Sequence, residues 1–246
     1  MNDAGPRIEA YRAARAEVLA RIAAACGRSG RDPAGVTLVA VSKTVPADAL
    51  RDAVAAGLDL LGENRVQQAA AKVPEVPGAR WHLVGPLQSN KAHPALDLFD
   101  AIESVDTVKL AQRLDRLVPE TKPGRRYPIL IQVNVDRDPA KAGFAPEAVE
   151  GAMPALVDLP HLELRGFMTV GRLTSDPGEA RRTFAGLREL AEGCRSRWSE
   201  LGPELSMGMS DDFEVAIEEG ATIVRVGRAL FGERGGAHPH DHDHGR

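Results

Sequence analysis

The sequence predicts a single (β/α)8 barrel of the TIM type, preceded by one extra N-terminal helix. Three observations point to it. Eight short apolar runs are each followed by a helix or helical turn. The runs are nearly continuously apolar, as expected of parallel strands covered on both faces. The 246 residues also match the usual size of such a barrel, about 250 residues. A doubly wound open sheet is the alternative, but it favours a glycine-rich phosphate turn after its first strand, and VSKTVP (41–46) has none.

The elements follow in order. Ile8, Tyr11, Val18, Leu19 and Ile22 recur at helical spacing and predict a helix over 7–26, ended by Cys26-Gly27. VTLVAVSK (36–43) is the first strand, bounded by Gly35 and Pro46, and Pro46-Ala47-Asp48 opens a helix that stops at Gly57. LDLLGE (58–63) is the second strand, with a helix from Asn64 through Lys72. WHLVG (81–85) is the third, followed by QSNKAHPALDLF (88–99). AIESV (101–105) precedes a helix over 106–117, and YPILIQVNV (127–135) precedes one over 146–156. LELRGFMTV (162–170) precedes a long helix over 178–198. ELSMGMS (204–210) precedes a helix over 211–219, and TIVRVG (222–227) is the eighth strand.

No linker divides the chain, so residues 1–234 form one domain. GGAHPHDHDHGR (235–246) is a low-complexity tail holding four of the seven His, and it is expected to be disordered. Weak chelation of zinc or nickel is one use for it. A solvated tail with no metal role is favoured, because neither Cys nor a scaffold fixes a geometry.

Composition removes several classes. With 43% hydrophobic and 27% charged residues the chain folds. A net charge of -4 argues against nucleic acid as a partner. No apolar run approaches the roughly 18 residues of a membrane span, and Met1 to Ala10 has no signal-peptide core. Cys26 and Cys194 lie far apart in no metal-like spacing, which fits two thiols in a reducing cytoplasm.

In such barrels function sits at the C-terminal strand ends. Those ends carry Ser42-Lys43, Glu63-Asn64, Gly85, Ser104, Asn134, Met168-Thr169, Ser210 and Arg225 to Gly227. Lys43 is one of only six Lys against 25 Arg. One reading is that, rooted in an apolar strand, it is partly desolvated, which favours the neutral amine that attacks an aldehyde. The competing reading pairs it with a carboxylate such as Glu63, and spacing leaves both open. Ser210 stands where the seventh strand gives way to a helix; it is either an N-cap or an anion ligand. Gly227-Arg228 stands at the next such turn, where backbone N–H groups face an anion. Turns after the last two strands are the usual phosphate site of these barrels. A Schiff-base lysine on the first strand and a phosphate site on the last two together describe pyridoxal 5′-phosphate.

The segments VAVSKT, GENRVQ, WHLVGPLQSNK, IQVNVDRDPAKAGF, LRGFMTV and LSMGMSDDFEVAIEEGATIVRVGRALFG make the chain, from about residue 7 to 232, similar to the pyridoxal phosphate homeostasis protein family. That family in turn resembles the barrel domain of alanine racemase. The resemblance implies that Lys43 carries the cofactor as a Schiff base. It implies that Ser210 and the backbone N–H groups of Gly227 and Arg228 hold the phosphate. Asn64 and Met168 would line the ring pocket, and Arg225 would face the pyridine nitrogen. One departure is Arg65, where an aromatic commonly follows the Asn. A monomer is also implied.

A permanently charged Arg225 disfavours protonation of the pyridine nitrogen and weakens the ring as an electron sink. Its spacing alone equally allows an inward residue paired to Glu or Asp. Two functions compete: a non-catalytic carrier or regulator of pyridoxal phosphate and of amino- and keto-acid pools, serving apo forms of enzymes that use it, and an amino-acid racemase. The racemase needs a second base, a Tyr. Tyr11 is expected on the outer helix and Tyr127 at the start of the fifth strand, the end opposite the cofactor, so the carrier is favoured. A purely structural barrel leaves Lys43 and the phosphate turns unexplained.

Overall fold

The strands are β1 Thr37–Val41, β2 Leu60–Glu63, β3 Arg80–Leu83, β4 Ala101–Val105, β5 Tyr127–Gln132, β6 Leu162–Met168, β7 Glu204–Ser206 and β8 Ile223–Val226. The helices are α1 Ala4–Ser29, α2 Ala47–Ala55, α3 Val66–Lys72, α4 Ala92–Leu98, α5 Val108–Thr121, α6 Pro146–Val157, α7 Pro177–Arg195, α8 Phe213–Glu218 and α9 Arg228–Phe231. In this computed structural model, which describes residues 4–232 apart from 173 and 175, the strands close in sequence order into a parallel barrel, β8 pairing back onto β1. The His-rich tail 235–246 lies outside the described residues.

Alternation along each strand separates two apolar regions. Outward side chains such as Leu61, Leu83, Ile102, Ile129 and Phe167 join Leu50, Leu96, Leu114, Phe184 and Phe213 of the helices in one continuous core. Each such side chain contributes about 1.5–3 kcal/mol on burial. Inward side chains form a smaller cluster of Val39, Leu60, Val84, Leu130, Met168 and Ile223. Helix α1 packs across α8, α2 and α9. Its Tyr11 ring meets Phe231 edge-on at 5.6 Å, and its Arg21 guanidinium lies 4.5 Å from the Phe213 ring centre.

Boundaries differ from the sequence pattern where side chains override it. Helix α1 runs through Gly27 to Ser29. Gly inside a helix costs about 1 kcal/mol, which the burial of the adjacent Ala25 and Cys26 offsets. Strand β5 stops at Gln132 instead of 135 because Asn134 builds a loop: its Nδ2 donates to the Asp138 and Lys141 carbonyls and its Oδ1 accepts from Asp138 N. Strand β7 stops at Ser206 instead of 210. Gly208 takes φ +91°, and a Cβ there would lie 2.6 Å from the Ala216 Cβ. This close seat of α8 turns the chain and frees Met209 and Ser210 for the barrel mouth.

Candidate functional site

A cavity of about 1200 Å³ opens at the C-terminal ends of the strands. Lys43, Asn64, Ser210, Arg225, Gly227 and Arg228 all line it. The sequence assembled these six from strand ends far apart in the chain, and closure of β8 onto β1 brings them together. Met168 does not belong with them. It is fully buried in the inward apolar cluster, beneath a cavity wall to which Val84 and Val170 contribute instead. Val41, Val45 and Phe231 add apolar surface that the sequence reading missed. Period-2 alternation from Val39 to Val41 to Lys43 is the signal that places Val41 on the inner face.

Lys43 follows β1 with its side chain exposed in the cavity mouth. Of the two readings spacing left open, partial desolvation is not seen, because the residue stands past the last strand position in a wide mouth. The alternative pairing with Glu63 is also not made. Glu63 lies on the outer face, fully buried, and takes Lys72 Nζ at 2.7 Å and Ser42 Oγ at 2.8 Å. Lys72 Nζ also donates to the Ser42 carbonyl at 2.8 Å, fastening the peptide that leads into Lys43. Among the described residues Lys43 itself has no ion-pair partner.

Asn64 is held by close backbone approach. A Cβ at Gly85 would lie 2.4 Å from the Asn64 carbonyl oxygen, so only Gly lets the chain after β3 pass there.

Ser210 does not cap α8. Asp212 holds the N-cap position, and its Oδ1 accepts from Met209 N at 2.6 Å. Ser210 Oγ instead accepts from Gly227 N at 3.3 Å, so the two turns after β7 and β8 meet at one hydroxyl and one amide. The Gly227 backbone sits against β1: a Cβ there would stand 3.2 Å from the Val41 carbonyl oxygen. The Arg228 guanidinium pairs with Asp211 on the cavity rim.

Arg225 is 4% exposed. Its Nη1 donates to Ser206 Oγ at 2.6 Å and its Nη2 to the Thr169 carbonyl at 2.7 Å. No carboxylate pairs with it directly among the described residues, so the expected alternative of a paired inward residue holds only through Ser206. Burial pulls the Arg225 pKa down, while the charges of Glu103 and Asp212 oppose that. Burial raises the Asp212 carboxyl, against its hydrogen bond from Met209 and the charge of Arg225.

Neither Tyr lines the cavity. Tyr127 Oη donates to the Phe99 carbonyl at 2.8 Å, and burial pushes its pKa upward. Tyr11 packs behind Phe231, and its phenol is also raised by burial.

The family described as the alanine racemase N-terminal domain matches residues 17–235. The pyridoxal phosphate homeostasis protein of Pseudomonas aeruginosa is 46% identical over 222 residues, covering 89% of this chain and 94% of that protein. PipY of Synechococcus elongatus, solved with pyridoxal phosphate bound, superposes with a TM-score of 0.76 at 42% identity, over 87% of this chain and 100% of that one. Alanine racemase from Corynebacterium glutamicum superposes with a TM-score of 0.67 at 20% identity, over 93% of this chain and 64% of that one. That last likeness is one of fold.

Proposed function

The chain belongs to the pyridoxal phosphate homeostasis protein family, and on that premise we propose that it holds pyridoxal 5′-phosphate in the barrel mouth as a carrier and regulator rather than as an amino-acid-converting enzyme. One observation carries the reading. A lysine without an ion-pair partner and a hydroxyl–amide pair fit for a phosphate face the same cavity from β1, β7 and β8. The residues suit the group. Three cations, Lys43, Arg225 and Arg228, line the cavity against one carboxylate, Asp211, which favours an anion.

When bound, the cofactor supplies an electrophilic aldehyde and an aromatic ring able to delocalise electrons. Lys43 offers the amine that bonds that aldehyde. Ser210 Oγ and the N–H groups of Gly227 and Arg228 hold the phosphate oxygens. Asn64 would flank the ring and Val84 and Val170 would give it apolar contact, with Met168 packed among the same inward cluster. Arg225 presents a fixed positive charge to the ring nitrogen and keeps a proton off it.

That last feature supports the non-catalytic reading, because an unprotonated ring withdraws electrons weakly. So does the placement of both Tyr: Tyr127 is bound to a carbonyl and Tyr11 stands behind Phe231. Hand-over of the cofactor to apo-enzymes is the use we assign. Free buried thiols at Cys26 and Cys194 suit a reducing cytoplasm. A monomer suits a surface on which, among the described residues, Leu19 is the large hydrophobe that stands exposed.

The test is solvent deuterium exchange at Cα of L- and D-alanine, followed by chiral analysis of the product. The carrier reading expects exchange far below the enzyme median of about 10 s⁻¹. Turnover near that value, lost in Lys43→Ala, restores the racemase.

A further inference from the structure

The interior of a (β/α)8 barrel is ordinarily filled by layers of branched aliphatic side chains. Part of this one is ionic. Glu103 of β4 points inward and is fully buried. Its Oε1 lies 2.6 Å from His82 Nδ1 of β3, and its Oε2 accepts from Ser206 Oγ of β7 at 2.5 Å. Ser206 Oγ accepts in turn from Arg225 Nη1 of β8 at 2.6 Å. A single line of hydrogen bonds therefore crosses the barrel and ends on a guanidinium that lines the cavity.

Chemistry fixes the direction of every bond in it. A guanidinium only donates, so Ser206 accepts from Arg225 and gives its one proton to Glu103. The Glu103 carboxylate accepts at both oxygens, and His82 Nδ1 donates. Burial pushes the Glu103 carboxyl up, but the hydrogen bond and charge of His82, the charge of Arg225 and the Ser206 hydroxyl outweigh it and hold the group below its usual range. Besides Glu103, the charged groups around Arg225 are Asp212 ahead of α8 and Lys43, Arg228 and Asp211 on the cavity wall. Burying a carboxylate and a guanidinium carries a large desolvation cost, which Val or Leu at these positions avoids.

We propose that Glu103 and Ser206 are positioning residues for the bound cofactor: they hold the Arg225 guanidinium charged and turned toward the ring, and so set how readily the ring nitrogen takes a proton. The inference rests on the reading that Arg225 faces that nitrogen. Ser206 and the Thr169 carbonyl take two of the five guanidinium N–H groups, leaving the remainder of the fork for the cavity. His82 anchors Oε1, which leaves Oε2 aimed at Ser206.

The test uses the full chain loaded with pyridoxal phosphate. Glu103→Gln and Ser206→Ala are made alone and together with Arg225→Gln. The readouts are the visible absorption of the bound cofactor across pH and its dissociation constant. Each single variant is expected to shift the pH profile of the absorption and to weaken retention of the cofactor, because the Arg225 guanidinium loses the hydroxyl that orients it. Added to Arg225→Gln, neither substitution is expected to cause a further shift. Wild-type behaviour of both single variants overturns the proposal. So do equal shifts with and without Arg225, which mark general packing damage, and an Arg225→Gln profile identical to wild type. If Glu103→Gln does not fold, Ser206→Ala against Ser206→Thr decides: the hydroxyl-bearing variant must match wild type where Ala does not. Borohydride labelling of the wild type separates the two readings. No label at Lys43 brings down the site itself, whereas a Lys43 label with insensitive spectra brings down this inference alone.

Discussion

The outer helical shell and the barrel mouth treat their cations differently. In the shell, Arg21 pairs with Glu214, Arg181 with Glu218 and Glu219, Arg188 with Glu219, and Lys72 with Glu63. In the mouth, Lys43 has no ion-pair partner among the described residues, and Arg225 reaches a carboxylate only through Ser206. The shell spends its charges on joining helices. The mouth pairs Arg228 with Asp211 but leaves Lys43 facing open space, with three cations against that one carboxylate, a balance that favours an anion. Lys43 and Lys72 make the contrast sharpest, since they lie on opposite sides of the same β1 and β2 ends.

Substitutions at these two lysines are expected to separate binding from stability. Lys43→Ala loses the visible absorbance of the attached cofactor completely, read by spectrophotometry, while phosphate contacts retain some reversible binding. Lys72→Ala leaves a buried Glu63 carboxylate without its cation, and breaking such a pair costs about 3–5 kcal/mol. Urea unfolding should register that loss, with attachment at Lys43 kept in the molecules that remain folded. Equal loss of attachment in both variants contradicts separate roles for the two lysines.

Within the mouth the expected effects are smaller. Ser210→Ala removes one hydrogen bond to a charged phosphate, about 1.5–3 kcal/mol, so retention should weaken by about tenfold or more. Gly227→Val sets a branched side chain against the Val41 carbonyl and should weaken it at least as much. Equilibrium dialysis measures both, and wild-type affinity in the two variants places the phosphate elsewhere. Asp211→Asn should act in the opposite sense. It frees the Arg228 guanidinium from its rim pair, and exposed pairs are worth about 0.2–1 kcal/mol, so the cofactor should bind up to about fivefold more tightly.

The ionic line inside the barrel predicts an effect that depends on pH. Its lowered Glu103 carboxyl gives stability that is fully present above the unfolded carboxyl value, about 4.3. That stability disappears as pH falls through the lower folded value. The gap in unfolding free energy between wild type and Glu103→Gln should therefore be widest at neutral pH and narrow as pH falls below about 4.3. A gap that widens in acid contradicts the assignment.

Much of this was legible in the sequence because strand order and strand ends are local features. β4 matches AIESV at both ends, and Lys43, Asn64, Arg225, Gly227 and Arg228 stand at or just past strand ends, with Ser210 in the turn that follows β7. Met168, which the family resemblance implied for the ring pocket, has a side chain that alternates into the interior cluster instead. β7 misled because apolar Met207 and Met209 continue the strand pattern while Gly208 turns the chain. The line from His82 to Arg225 was hidden for a different reason. Alternation in WHLV and AIESV places His82 and Glu103 inward, but no spacing says that β3, β4, β7 and β8 bring their polar groups within hydrogen-bond reach. Only closure of the barrel does that.

On this reading the partnerless lysine of the mouth is the one that bonds the cofactor. Borohydride reduction of the protein loaded with pyridoxal phosphate, followed by digestion and peptide mass mapping, tests it most directly. One dominant reduced adduct is expected, on Lys43. A dominant adduct on Lys72, Lys141 or any other lysine contradicts it.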